Sequence, residues 1–181
     1  TLGAPFVKAL KGRFSTPLDV HLMISNPLEQ LDWYLSAGAD IVTAHIEAFV
    51  SDAEVREFIE RVRDAGKKPA LTLKPDCAIE SLDAYIADLD MVLVMSVFPG
   101  FSGQSYIEGS EDRVAHVAHV ASKENPLLLI EVDGGISASR TAGLVCAKGA
   151  DVLVAGSGVF AAPNPKDAVH EIRQSGINAQ K

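Results

Sequence analysis

Six short runs of near-continuous apolar residues, evenly separated by amphipathic stretches, restrict what this chain can fold into more than any other feature. The runs are Leu18–Ile24, Asp40–Ile46, Pro69–Leu73, Met91–Val97, Leu127–Asp133 and Asp151–Ala155. Apolar character at successive positions, rather than at every second one, suits strands of a parallel sheet buried on both faces. Parallel neighbours need a crossover connection, and the intervening stretches carry helix signals. Asn26-Pro27 reads as an N-cap followed by proline at the first helical position. Leu28, Leu31, Tyr34 and Leu35 form the stripe of that helix, and Gly38 ends it. Ser51-Asp52-Ala53-Glu54 fits a capping box ahead of Val55, Phe58, Ile59 and Val62, with Gly66 as the stop. The spacing recurs at Val114, Val117, Ala118 and Ala121, again at Ala142, Val145 and Cys146, and after Asn164-Pro165. One more helix, Ala4–Leu10, precedes the first run with no strand before it. No linker interrupts the pattern, so residues 1–181 are expected to form a single domain, with the polar tail Ser175–Lys181 frayed.

Composition removes several classes of function. Sixteen Lys and Arg against 24 Asp and Glu leave a net charge of −8, and no basic run is present, which argues against nucleic acid as a partner. With 48% hydrophobic residues the chain is globular rather than disordered. No apolar run approaches the ~20 residues of a bilayer-spanning helix, and no apolar signal segment is visible. Cys77 and Cys146 are far apart without metal-ligand spacing and read as reduced thiols, in keeping with a cytoplasmic location.

Repeated βα units fold either as an open doubly wound sheet or as a closed (β/α)8 barrel, and both place ligands at the carboxyl ends of the strands. The glycines discriminate. Gly134-Gly135 and Gly156-Ser157-Gly158 follow the last two runs, where a barrel builds its phosphate site, rather than the first run, where a dinucleotide fold has its glycine loop. The expected fold is therefore an α/β (TIM) barrel, with the chain covering six of eight βα units and the first two strands absent. Its opening at Thr1 rather than Met fits that expectation.

Four strand ends carry candidates for chemistry. His21 is a polar residue inside an apolar run and needs a partner or a metal. His45 has the same character and is read as a hydrogen-bonded core residue. Pro99-Gly100-Phe101-Ser102-Gly103 after the fourth run frees the backbone to wrap an anion, although a plain turn would look the same. Asp133 before Gly134-Gly135 pairs a carboxylate with open backbone donors. His116 and His119, three apart on a helix, lack a third ligand and read as a solvated face; Cys77 has no neighbouring His in sequence to make it a nucleophile.

At these residues the chain resembles the ribulose-phosphate 3-epimerase family. The resemblance rests on Asp19-Val20-His21-Leu22-Met23 with Asn26-Pro27, Ala37-Gly38-Ala39-Asp40, His45-Ile46-Glu47-Ala48, Met95-Ser96-Val97 into Pro99-Gly100-Phe101 and Gly103-Gln104, Val132-Asp133-Gly134-Gly135, and Ala155-Gly156-Ser157. It implies a metal-dependent epimerase that interconverts D-ribulose 5-phosphate and D-xylulose 5-phosphate, in the pentose phosphate pathway, by two-base proton transfer at C3. It implies a divalent metal (Zn, Fe, Mn, Co or Mg) held in part by His21 and Asp133, with Asp133 one of the two acid/base aspartates. His21, Gly100, Phe101, Ser102, Gly103, Gly134, Gly135, Gly156 and Ser157 would meet the sugar and its phosphate. A ketohexose 6-phosphate such as allulose 6-phosphate, and a truncated non-catalytic phosphate-binding barrel, are the alternatives. A homo-oligomer is compatible with the acidic charge.

The sequence departs from that family in four ways. Its H-x-D-x-MDG segment, with a second metal-binding His and the second aspartate, does not occur in these residues, nor does its first-strand serine. Phe98 stands where the family has a polar residue, and Ser102 replaces a glycine. The 181 residues by themselves are therefore expected to bind metal weakly and not to epimerise.

Overall fold

The computed structural model describes residues 2–101 and 103–180. Helix α1 (Ala4–Leu10) leads, with Pro5 in its first turn, where a missing N–H costs nothing. Six strands follow: β1 (Asp19–Leu22), β2 (Ile41–His45), β3 (Lys68–Leu73), β4 (Met91–Met95), β5 (Leu129–Asp133) and β6 (Val152–Val154). Each strand pairs parallel with the next one in the chain, so sheet order equals chain order. A doubly wound sheet would reverse its order partway, whereas this sheet winds in one direction only. It is a six-stranded arc of a (β/α)8 barrel, with β1 and β6 as its edges.

The crossovers are α2 (Pro27–Ala37), α3 (Asp52–Asp64) with a short 3-10 segment at Ile46–Ala48 before it, the 3-10 segment Ile79–Asp88, α4 (Ser110–Glu124) and α5 (Thr141–Cys146), and after β6 come the one-turn α6 (Ser157–Phe160) and α7 (Pro165–Ala179). Local chemistry sets their ends. Ser51 Oγ accepts the Glu54 N–H at 3.3 Å, while the Glu54 carboxylate accepts the N–H of Val50 at 3.0 Å. Gly38 closes α2 at φ 107°, and a side chain there would stand 2.7 Å from Lys11 Cδ. No helix among the described residues is long and apolar enough to cross a membrane.

The strands are shorter than the apolar runs. β4 ends at Met95, and the next residue, Ser96, still donates its N–H to the Asp133 carbonyl of β5 at 2.9 Å. Asn26 does not cap α2; its amide donates to the Glu29 carboxylate at 2.8 Å instead. The link from β3 to β4 holds a 3-10 segment that sequence reading left undescribed, and Ile79, Leu82, Tyr85 and Ile86 are buried along it. The tail expected to fray is helical through Ala179, because Gly176 lets α7 approach Cys146 of α5; an added Cβ would lie 2.9 Å from its Sγ.

Two apolar clusters follow from strand alternation. Val92 and Val94 of β4 face outward into the large core shared with Phe58, Leu82, Val114 and Val117 of the helical layer. Leu93, Met95 and Val97 form a separate cluster on the inner face. Burying each large outer side chain contributes roughly 1.5–3 kcal/mol, so the outer core holds the arc together.

Candidate active site

The inner face is unusually polar for a barrel interior. Asp19 and His21 alternate on β1, His45 ends β2, and Glu131 and Asp133 alternate on β5. The Asp19 and Glu131 carboxyls face each other closely enough that each shifts the titration of the other. Strands β1 and β5 are not sheet neighbours, so this contact spans the interior. Burial, then the facing Asp19 and Asp133 charges, push Glu131 up to about 9. Burial likewise raises Asp19 and Asp133. An acid held above the ordinary carboxylate range suits proton transfer near neutral pH.

His21 and His45 meet Nε2 to Nε2 at 2.9 Å, with ring centroids 5.0 Å apart. Burial and the neighbouring His45 lower His21 to about 4. Burial also lowers His45, against the pull of Glu47, whose carboxylate lies 3.6 Å from His45 Nδ1. Burial works to raise Glu47, but backbone N–H bonds, the Cys77 thiol and His45 bring it below its usual value. Burial and Glu47 push the Cys77 thiol up, which agrees with its reading as no nucleophile.

Above this floor lies a rim of backbone. A cleft of about 200 Å³ is bounded by Met23, Gly100, Phe101, Gly103, Asp133, Gly134, Gly135, Gly156 and Ser157. The fourth loop is held by Gln104, whose amide donates to the carbonyls of Phe98 at 2.6 Å and Phe101 at 2.8 Å. Gly134 has φ 125°, and a Cβ on it would meet Val97 Cγ2 at 2.6 Å; Gly135 would meet the backbone of Tyr106 at 2.6 Å. Ser96 Oγ donates to the Gly134 carbonyl at 2.8 Å, locking this turn to the end of β4. Gly156 differs: its φ is −86° and a Cβ would meet nothing within 4 Å. A second hollow of about 590 Å³, bounded by His45, Glu47 and Lys74, shares Met23, Pro99 and Gly100 with the cleft.

The sequence-predicted residues thus fall into one strand-end region. Asp133 and all the predicted glycines line one cleft, with Phe101 on its exposed lip. Ser102 lies outside the described residues. His21 sits below, joined to His45.

The comparison with known proteins fits this geometry. The model of the "Ribulose-phosphate 3 epimerase family" matches residues 1–160. This chain belongs to the ribulose-phosphate 3-epimerase family. It is 38% identical to a ribulose-phosphate 3-epimerase of Bacillus subtilis over 97% of this chain and 79% of that protein. It is 41% identical to the enzyme of the same name from Rhodobacter capsulatus over 88% of this chain and 67% of that protein. Among solved structures it is similar in fold to 3-keto-L-gulonate-6-phosphate decarboxylase from Vibrio cholerae, with a TM-score of 0.74 at 13% identity, covering 97% of this chain and 79% of that one.

Sequence reasoning missed Glu131, Asp19 and the site-facing position of His45. The His-x-Glu spacing at the end of β2 was a usable signal for His45, but the Asp19–Glu131 contact joins residues 112 positions apart and only the curl of the sheet makes it. His116 is not simply solvated, because its Nε2 lies 2.9 Å from Asp83 Oδ1 on the neighbouring 3-10 segment. Among the described residues no group of three or more His, Cys, Asp or Glu side chains converges as a metal cluster. The donors that the resemblance assigned, His21 and Asp133, do not by themselves fit a catalytic metal centre, which takes about three protein ligands.

Proposed function

We propose that this isomerase-family chain supplies the phosphate site and one of the two acids of a cytoplasmic enzyme of the pentose phosphate pathway that acts at C3 of a ketopentose 5-phosphate, interconverting D-ribulose 5-phosphate and D-xylulose 5-phosphate. The observation that carries the reading is a single cleft in which Asp133, with its carboxyl raised by burial, lies among the glycine turns of β4, β5 and β6. Asp133 is the group that removes or returns the C3 proton. The turns at Gly100–Gly103, Gly134-Gly135 and Gly156-Ser157 offer backbone N–H groups to the phosphate, and that remote binding orients the sugar over Asp133. His21 approaches the sugar oxygens from the floor.

Removing a proton beside a ketone leaves charge on oxygen, and a divalent cation, when bound, neutralises such charge. Dependence on such a cation is part of this reading, in which His21 and Asp133 would be two of the about three protein donors such a centre takes. Inversion needs an acid on each face of the planar intermediate, and Asp133 supplies one.

The test is exchange of the C3 hydrogen of D-ribulose 5-phosphate with D2O, followed by NMR. One carboxylate suffices for exchange, so exchange that runs faster than inversion supports the reading, provided Asp133→Asn abolishes it. Exchange that survives Asp133→Asn removes Asp133 from the role. Faster reaction of allulose 6-phosphate would move the substrate to the hexose.

A further inference from the structure

Two buried residues, Ser96 and Thr141, hold the glycine turn after β5 by their hydroxyls. Ser96 Oγ lies 2.8 Å from the Gly134 carbonyl and 2.9 Å from the Asp133 carbonyl. The Asp133 carbonyl already accepts the Ser96 N–H at 2.9 Å, so the one hydroxyl hydrogen belongs to Gly134. Thr141 Oγ1, at the start of α5, accepts the Ser137 N–H and donates to the Gly135 carbonyl, both at 2.8 Å. We infer that Ser96 and Thr141 are positioning residues for phosphate recognition, which hold the Gly134 and Gly135 carbonyls so that this turn shows a ligand the N–H groups of Gly135 and Ile136.

Peptide geometry links each carbonyl to the N–H that follows it. In a trans peptide the two groups point in opposite directions. A Gly134 carbonyl tied to Ser96 turns the Gly135 N–H away from Ser96. A Gly135 carbonyl tied to Thr141 turns the Ile136 N–H away from Thr141. Gly134, Gly135 and Ile136 all line the cleft, and among the described residues neither N–H has a protein acceptor.

Glycine makes the hold necessary. Gly134 and Gly135 stand at φ 125° and 60°, with no side chain to restrict the peptide between them. Without its hydroxyl partner that peptide is free to turn over and bring its carbonyl to the cleft. A phosphate would then meet a partial negative charge instead of a donor. Ser96→Ala removes only the hydroxyl, because the Ser96 N–H stays on the Asp133 carbonyl and the Ser96 carbonyl still accepts the Ile107 N–H at 2.8 Å. The end of β4 is therefore anchored in that variant, and the change falls on the turn.

The inference rests on the phosphate cleft of the epimerase reading. Its test is titration of the 15N-labelled chain with inorganic phosphate, read at assigned amides. In the unsubstituted chain the Gly135 and Ile136 amides should shift as phosphate is added. Ser96→Ala and Thr141→Val should each weaken phosphate binding by about tenfold while the amide spectrum of the strands is kept. Thr141→Ser restores the hydroxyl and should recover the parent affinity to within about twofold. A folded Ser96→Ala with unchanged phosphate affinity overturns the inference and leaves the cleft standing. So does phosphate that moves the amides of Gly100 and Gly156 but not those of Gly135 and Ile136. That second measurement needs no variant, so it decides even where the substitutions unfold the chain. Phosphate that binds nowhere on the unsubstituted chain removes the cleft, and the inference with it.

Discussion

The floor of the site and its rim are built on opposite principles. The floor is made of side chains: Asp19, His21, His45, Glu131 and Asp133 are drawn together on the inner face and perturbed by burial. The rim is made of backbone: glycines at Gly134, Gly135 and Gly156, with Ser96 and Gln104 tying the turns in place. The difference teaches that chemistry and binding are separable here. Changes on the floor should alter proton transfer and pH response, and changes on the rim should alter fit or folding.

The largest expected effect tests the floor. Asp133→Asn keeps the shape of the side chain, so the circular dichroism spectrum should be unchanged. Removing an acid/base group should slow C3 proton transfer by at least ~10²–10⁴-fold. A loss below tenfold would sink its assignment.

Next comes the strained part of the rim. Gly134→Ala should cost about 2–4 kcal/mol in urea unfolding, because the positive φ adds strain and the new methyl must displace Val97. Gly156→Ala should stay within about 0.5 kcal/mol of the parent, since its Cβ meets nothing. Equal costs at the two positions would erase the distinction between a turn that needs glycine to fold and one that leaves room for a ligand.

Glu131→Gln probes what burial costs on the floor. Its folded-state value of about 9 lies above the ordinary 4.5, so the protonated form favours the fold. That contribution is complete below pH 4.5 and is lost progressively as pH rises toward 9. Glutamine keeps a donor for Asp19 without needing a proton. At pH 7 in chelator the variant should be more stable by on the order of 1–3 kcal/mol, with the gap closing near pH 4. A gap that widens toward acid would reverse the sign of this account.

The smallest effect belongs to the open part of the rim. Gly156→Val adds a branched side chain to the cleft at a position where a Cβ meets nothing within 4 Å, so it should raise the KM for the sugar phosphate by about tenfold with a smaller change in kcat. A lost kcat at unchanged KM would mean that this turn serves the reaction rather than binding.

Much of this was legible without the fold. The six apolar runs determine a parallel sheet, because strands buried on both faces cannot alternate polar and apolar residues. Proline and glycine punctuation marks most helix ends because those residues act through their own φ angles. Asp133 and the glycine turns were readable as well, because a ligand-binding turn in a βα protein is a local motif at a strand end. What only the tertiary structure decided concerns partners far apart in the chain. The curl of the arc brings Asp19 against Glu131, and the inner-face alternation of β1 and β2 sets His21 against His45. The turn after β2 then places Glu47 beside that pair. The contacts between strands have no sequence spacing, because a residue's burial and its charged neighbours are properties of the folded arc. Those properties set the protonation of the site.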